Sequence, residues 1–212
     1  MPVDEIKPTR SGLLIVRRRM ALAERIHRLL KMKLDGMMLE LIRLTDQAAR
    51  ERKELEEKYA HAREMAAVAT MMEGATGVLL AALSVEAVPT YTTGHKNVFG
   101  VHLPDLEPVM VKKTLIQRGY GILGTSSVID DAADAYEDLI SAIIASAELE
   151  GGITRLLDDI ERTRRRVNAL EFKVIPELTD LRRLIEYQRD EMERQDAVRL
   201  RRIKKIKAKR RW

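Results

Sequence analysis

The sequence predicts an all-α protein, a long antiparallel two-helix coiled coil with a small central β-hairpin region. Of the 212 residues, 33% are charged and only 4% are aromatic, which is typical of long solvated helices rather than of a large globular core. Apolar residues follow a 3-4 spacing along two long segments. Between these segments the chain is interrupted by glycine and proline, which indicates a turn-rich connection.

The first apolar seam predicts a single helix over residues 13–72, within a first domain over 1–74. Fifteen of its eighteen positions are apolar, and no proline interrupts it. His27 falls on the seam, where a polar residue that fixes the register is a better interpretation than a metal ligand. Gly74 marks the expected end of the helix. The seam positions are Leu13, Val16, Met20, Ala23, His27, Leu30, Leu34, Met37, Leu41, Leu44, Ala48, Glu51, Leu55, Lys58, Ala62, Met65, Ala69 and Met72.

The central domain, residues 75–124, is predicted to hold a β-hairpin. Residues 91–99 combine β-branched and aromatic side chains around Gly94, which we expect at the turn. Because the segment 85–104 is separate from both seams, we expect it to be dispensable for folding. Three apolar residues alternate on one face of the hairpin, namely Phe99, Val101 and Leu103.

The second helix is predicted over residues 127–200, within a third domain over 125–212 that ends in a basic tail. Ser127 and Asp130 form a capping-box-like start. Pro176 predicts a kink there or slightly before, because proline lacks a backbone N–H and clashes one turn back. The expected seam positions are Ile129, Ala133, Tyr136, Ile140, Ile143, Ala147, Ile153, Leu157, Ile160, Val167, Leu170, Val174, Leu178, Leu181, Ile185, Gln188 and Met192.

The net charge of +5 hides an asymmetry between the ends and the body of the chain. Residues 1–34 carry nine basic residues against three acidic ones, residues 199–211 carry nine basic residues and no acidic one, and residues 35–198 carry a net charge of −10. A short connection favours an antiparallel pairing of the two helices. That pairing brings both basic ends together at one end of the coiled coil and leaves the hairpin at the other.

No residue pattern predicts an active site, a cofactor site or a metal site. The chain has no cysteine, which excludes a disulfide, a thiolate zinc site and a cysteine nucleophile. Residues 119–124 read G-x-G-x-x-G, but no βαβ unit surrounds them, so a loop-to-helix junction is the better interpretation. His95 and His102 lack a carboxylate pair at metal-ligand spacing.

Neither a targeting segment nor a membrane span is expected. The acidic start of the chain, residues 1–5, is not followed by the apolar run of a signal peptide. No stretch approaches the roughly 18 uncharged apolar residues that a membrane span needs. These features predict a soluble intracellular protein.

The basic ends leave alternatives open. A basic coiled-coil protein that binds nucleic acid or membrane phosphates fits the charge pattern, as does a coiled coil that works with an export-apparatus ATPase. The tail lacks interleaved aromatic residues before Trp212, so stacking on nucleic-acid bases has little support.

Several motifs, spread in order over nearly the whole chain, resemble the D-subunit family of the archaeal and vacuolar-type rotary ATPases. Arg165-Arg166-Val167-Asn168-Ala169-Leu170-Glu171, followed by Val174-Ile175-Pro176, is the most specific of them. The supporting motifs are Pro8-Thr9-Arg10, Leu29-Leu30-Lys31-Met32-Lys33-Leu34-Asp35, Asn97-Val98-Phe99-Gly100-Val101-His102-Leu103-Pro104 and Glu191-Met192-Glu193-Arg194.

The resemblance implies a central rotor shaft that couples ATP synthesis or hydrolysis to ion translocation by rotation. The implied partners are the hexamer of catalytic A and regulatory B subunits, the small F subunit, and the C subunit, which is the d-type socket. The implied shaft is non-catalytic, needs no cofactor, binds no specific nucleic acid and meets the membrane only through the complex, at the cytoplasmic face of the cell membrane. We expect partner contacts among ten polar residues, namely Arg10, Arg17, Arg18, Arg19, Arg165, Arg166, Asn168, Arg199, Arg201 and Arg202.

Overall fold

The computed structural model describes residues 7, 9–85, 89–114, 117–120 and 125–209. Helix α1 spans Arg10–Leu83, strands β1 and β2 span Thr90–Val98 and Val101–Val109, and α2 spans Ser127–Ala169. A π-helical turn, Leu170–Val174, separates α2 from α3, Ile175–Lys209. The predicted fold class is confirmed, since a small two-stranded antiparallel hairpin lies between two long helical segments in the order of the chain.

The chain divides into two compact units, which we describe separately. One unit comprises Met1–Leu34 with Arg162–Trp212, and the other comprises Asp35–Glu161. We call them the terminal unit and the central unit. In each unit α1 packs against a helix from the second half of the chain.

In the terminal unit the helices pair antiparallel. Leu13 and Val16 of α1 form a buried cluster with Ile185 of α3, and Leu181 packs against it. Thr9, just before α1, is its N-cap, because its hydroxyl oxygen accepts a hydrogen bond from the Gly12 N–H at 3.0 Å.

In the central unit α1 pairs antiparallel with α2 through three clusters. The first contains Met37 and Leu44 of α1 and the second contains Ala62. In the third, Ala81 packs with Tyr120 and Ile129 near the start of α2. From the first cluster to the third, residue numbers rise along α1 and fall along α2, as an antiparallel pairing requires. The α2 residues are Ile160, Leu156 and Leu149 in the first cluster, Leu139 and Ala135 in the second, and Ile129 in the third.

The first predicted seam is confirmed almost throughout. Seventeen of its eighteen positions are buried or half-buried, and only Met72 is exposed. The helix continues past the predicted end to Leu83, with a non-helical break at Gly74, where φ is +75° and ψ is 160°. A positive φ is a conformation that glycine adopts without steric cost, so Gly74 is suited to this break.

Part of the second predicted seam is wrong. Between residues 133 and 157 the expected Tyr136, Ile143, Ala147 and Leu157 are exposed. Three of the true seam residues are alanine or glycine, which bury little apolar area, so a neighbouring row of larger residues gave the stronger periodic signal. The residues that are buried are Ala135, Leu139, Ala142, Leu149, Gly152 and Leu156.

The far end of the second seam is also wrong. Gln188 and Met192 are exposed, and Ile185 is the last buried residue of α3 among the residues that the structure describes. Ile185 already packs against Leu13 and Val16, close to where α1 begins at Arg10. The seam ends there because α1 offers little further apolar surface to cover it.

The irregularity expected slightly before Pro176 is a π-helical turn. The Ile175 N–H bonds to the Leu170 carbonyl, five residues back. The seam runs through Leu170, Val174 and Leu178, which are two steps of four residues each. A regular heptad would advance by a step of three and a step of four, so the seam contains one extra residue here. The wide turn absorbs that extra residue, so the seam of the terminal unit stays on one side of the helix.

The hairpin turn lies at Phe99-Gly100, and the turn predicted at Gly94 is wrong. Val98 pairs with Val101, and Gly94 lies inside β1 opposite Asp105. Phe99 and Gly100 have φ values of +51° and +81°, as a type I′ turn requires. The Gly100 N–H donates to the Asn97 Oδ1 at 2.9 Å. The sequence signal at Gly94 was misleading because a turn of this type needs positive φ at two adjacent residues.

The hairpin belongs to the core of the central unit, so the predicted separation from the seams is wrong. Val101 and Leu103, the alternating residues expected on one face, are buried in the cluster of Met37 and Leu156. The Leu106 N–H donates to Glu148 of α2 at 3.4 Å. The hairpin therefore lies along the paired helices, because only there can β2 bury its apolar face.

Candidate partner-binding surfaces

The basic start of α1 lies beside α3 in the terminal unit. Arg10 Nη2 is 3.3 Å from Glu193 Oε1, and Arg17 Nη2 is 2.9 Å from Glu186 Oε1. Arg18 is exposed and Arg19 is half-buried. This register places the first turn of α1 opposite Glu193, so the rest of α3 continues beyond the paired region.

The continuation of α3 is a solvent-exposed basic helix. Arg199 lies 3.5 Å from Asp196, and both Arg201 and Arg202 are exposed. The prediction for this tail concerned its basic residues alone. In the structure the helix also exposes apolar side chains between them. These exposed apolar residues are Val198, Leu200, Ile203 and Ile206. The helix thus offers a partner both positive charge and apolar area.

The remaining predicted contact residues lie at the end of α2, just before the π-helical turn. Arg165, Arg166 and Asn168 are exposed on either side of buried Val167. Next to these residues, Glu171 of the π-helical turn lies beside His27 of α1. His27 Nε2 is 3.4 Å from Glu171 Oε2, so the two side chains form an ion pair when the imidazole is protonated. The ten predicted residues therefore form two groups within the terminal unit.

The turn also carries an exposed aromatic residue that sequence reasoning did not single out. Phe172 is 75% exposed, and no residue of the turn is buried. It lies three residues after the end of α2, midway between the seam positions Leu170 and Val174.

A buried arginine cluster in the central unit was also missed. Arg118 is 2% exposed, and its guanidinium bonds to Glu137 at 3.0 and 3.1 Å, to Asp134 and to Asp130. Burial opposes the charged form, but the hydrogen bonds with Glu137 and Asp134 outweigh it and raise the pKa of Arg118 above its ordinary value. These carboxylates lie along the first turns of α2, so the cluster fixes the preceding loop to that helix.

Tyr120 completes this cluster. Its hydroxyl donates to Asp130 Oδ1 at 2.6 Å. Burial, with a further contribution from this hydrogen bond, raises the pKa of Tyr120 to about 12. Gly119 has a φ of +86°, and the rest of the G-x-G-x-x-G motif, residues 121–124, lies outside the described residues.

Near the end of α1 the central unit exposes several large apolar side chains. An apolar groove of about 310 Å³ lies between α1 and α2, lined mainly by alanines together with Val78 and Tyr136. Around the Gly74 break the exposed residues include Met71, Met72, Leu79, Leu80 and Leu83. Exposed apolar residues in this number favour an interaction site in this part of the chain.

The apolar character of α1 also bears on the expected absence of a membrane span. Among the described residues α1 is the one helix long and apolar enough to cross a membrane by length and composition, which corrects the sequence expectation. A single helix of this kind is weak support for a span. Within the same described ranges, no group of three or more acidic or histidine side chains could hold a metal ion.

Comparison with known proteins places the chain in a family. Residues 12–205 match the family described as the D subunit of ATP synthase. The D subunit of the A-type ATP synthase of Methanoregula boonei is 52% identical over 204 residues, which cover 96% of this chain and 98% of that protein. The D subunits of Methanosarcina mazei and Haloarcula marismortui are 45% and 43% identical, over 96% and 97% of this chain and 98% and 88% of their own lengths. The chain therefore belongs to the ATP synthase D-subunit family.

Proposed function

We propose that this chain is the central stalk of an A-type ATP synthase, the rotor shaft that couples the nucleotide state of the catalytic hexamer to ion translocation. The observation that carries the proposal is the match of residues 12–205 to the D-subunit family. Long helices in antiparallel pairing suit a shaft, because the apolar seam within each unit resists twisting and bending along the helix axes.

The shaft itself carries no chemistry. The ATP-binding and ATP-hydrolysing residues belong to the hexamer, and the shaft changes their relative affinities. A shaft without rotational symmetry contacts the nucleotide sites of a hexamer unequally, so each rotor angle favours a different nucleotide state at each site. Rotation and nucleotide binding are then coupled free energies, and the coupling acts in both directions.

The terminal unit enters the hexamer of A and B subunits. Its basic helix beyond Arg199, with the exposed arginines at the start of α1, faces carboxylate-bearing loops. Exposed ion pairs contribute only about 0–1 kcal/mol each, so these contacts guide the shaft without holding it at one angle. Seven of the ten polar residues predicted as partner contacts belong to this surface, and the other three, Arg165, Arg166 and Asn168, lie at the end of α2.

The central unit binds the F and C subunits. The exposed methionines and leucines around Gly74 and the apolar groove between α1 and α2 provide the apolar area that such stable interfaces need. Through these partners the chain is a peripheral component at the cytoplasmic face of the membrane.

The proposal is tested by affinity purification of the full-length tagged chain from detergent-solubilised membranes of the source organism. The A, B, F and C subunits should co-purify in fixed stoichiometry. Recovery of the chain without them, or with nucleic acid in a salt-sensitive complex, would contradict the proposal.

The contribution of the tail is tested by deleting residues 199–212. We expect the remaining helices and the melting temperature to be unchanged, since the described part of this segment is exposed, together with weaker coupling of ATP hydrolysis to rotation. Two further variants separate charge from apolar area. One replaces the exposed Arg199, Arg201 and Arg202 with glutamine, and the other replaces Leu200, Ile203 and Ile206 with alanine.

A further inference from the structure

The chain contains two phenylalanines, and both are exposed to solvent. Phe99 has a partner within the chain, because its ring lies over Gly36. Phe172 is 75% exposed in the π-helical turn. Burial of a large aromatic side chain stabilises a folded chain, and an exposed ring does not make this contribution. Aromatic residues are enriched among the residues that contribute most to binding at protein interfaces.

The turn presents Phe172 away from the paired helices. Leu170 and Val174, at its two ends, are half-buried on the seam. Glu171 is directed to His27 at 3.4 Å. Phe172 lies two residues from each of these seam positions, and therefore on the opposite side of the helix, where its ring projects into solvent.

Positive charge surrounds this ring along the chain. Arg164 and Arg166 precede it and Lys173 follows it, all of them exposed. The single acidic residue between 164 and 173 is Glu171, which lies beside His27. A partner that accepts the ring must therefore bring carboxylates to its rim.

We propose that Phe172 is an anchor that inserts into an apolar pocket, rimmed by carboxylates, on the A or B subunits of the hexamer. This inference rests on the proposed function. It assigns a specific contact point to the shaft, at the turn where its second helix departs from α-helical geometry.

A protein pocket fits this surface better than a lipid membrane does. Helices that bind a membrane surface bury a continuous apolar face of many residues. Between residues 164 and 177 the only exposed apolar side chains besides Phe172 are Ala169 and Pro176. A single ring in a cationic surface matches a pocket for one side chain.

The test compares Phe172→Ala with a control, Tyr91→Ala, in the full-length chain. Tyr91 is an aromatic residue on β1 in the central unit, which is not proposed to enter the hexamer, and it is 58% exposed. Binding of each variant to the purified hexamer is measured at fixed ionic strength, and its melting temperature and binding to anionic phospholipid vesicles are measured in parallel.

We expect Phe172→Ala to weaken binding about 10- to 30-fold, the loss typical of an aromatic hot spot, with an unchanged melting temperature. Tyr91→Ala should change binding less than about threefold, and Phe172→Leu should restore part of the loss. A change in hexamer binding within about twofold for Phe172→Ala would overturn the inference while wild-type binding sustains the proposed function.

Two further outcomes separate the anchor from the proposed function. Loss of vesicle binding with unchanged hexamer binding would overturn the inference in favour of a lipid contact. Failure of the wild-type chain to bind the hexamer would overturn both the proposed function and the anchor.

Discussion

The ring of Phe99 lies over Gly36, so close that a methyl group on Gly36 would approach the Cε1 and Cζ atoms of the ring to 2.9 Å. A glycine inside a helix ordinarily costs stability, about 1 kcal/mol relative to alanine. Here the missing side chain makes room for the tip of the hairpin. The contact also accounts for a bulky residue with positive φ in the turn, because Phe99 gains a packing partner that the usual Asn-Gly turn would lack.

We predict that the effect of Gly36→Ala depends on residue 99. With Phe99 present, the helix-propensity gain of about 1 kcal/mol is offset by an overpacking cost of about 1–3 kcal/mol, so stability stays level or falls. In a Phe99→Ala background the same change should stabilise the chain by about 1 kcal/mol. Denaturant unfolding of the four variants measures this coupling. Equal effects in the two backgrounds would contradict the contact.

A second prediction tests the corrected seam of α2. Leu156 is fully buried at 0% exposure, whereas its neighbour Leu157 is 47% exposed. Leu156→Ala should cost about 2–5 kcal/mol, because it removes apolar contacts and leaves a cavity. Leu157→Ala, the matched control, should cost less than about 1 kcal/mol. Equal losses in chemical denaturation would show that the buried side of α2 is assigned wrongly.

A third prediction concerns the arginine cluster. Arg118→Ala leaves the carboxylates of Asp130 and Glu137 half-buried without their cation, and we expect a loss of about 3 kcal/mol. Arg52→Ala is the control in the same unit, since Arg52 forms an exposed ion pair with Glu56 at 3.7 Å. It should cost at most about 1 kcal/mol. Thermal melts that show similar losses would rule out a stabilising role for the cluster.

The fourth prediction is a pH dependence at Tyr120. Its pKa rises from 10.0 to about 12 in the folded chain, so the folded state holds this proton more tightly than the unfolded state does. The contribution is complete below about pH 10 and is lost as the pH rises toward 12, with a slope of about 1.4 kcal/mol per pH unit. Tyr120→Phe removes the titrating group. The stability difference between wild type and this variant should therefore shrink across that range, and a constant difference would contradict the assignment.

The limits of prediction from sequence are clearest on α2. From Val167 to Ile185 the predicted seam is correct, because leucine, isoleucine and valine recur there at helical spacing. Between residues 133 and 157 the prediction failed, since the buried Ala135 and Ala142 are small and their exposed neighbours are large. Which side of α2 is buried there depends on the residues of α1 that pack against it. The periodicity of α2 by itself does not contain this information.

The candidate contact surfaces divide in the same way. The positive charge at both ends of the chain is a property of composition, and the sequence shows it directly. Phe172 lies two residues from the seam positions Leu170 and Val174, so its exposure follows from periodicity, whereas the π-helical turn that carries it is seen only in the structure. The Arg118 cluster joins a loop to α2 through residues up to 19 positions apart, a contact that no local spacing rule predicts.

The antiparallel pairing of two long amphipathic helices, the basic ends and the resemblance to the D-subunit family could all be inferred from the residues alone. Those features depend on periodicity, charge count and residue order, which are local or additive. The position of the hairpin, in contrast, follows from three-dimensional packing. Its turn lies at Phe99-Gly100, and β2 lies on the helices because Val101 and Leu103 can leave water only against Met37 and Leu156.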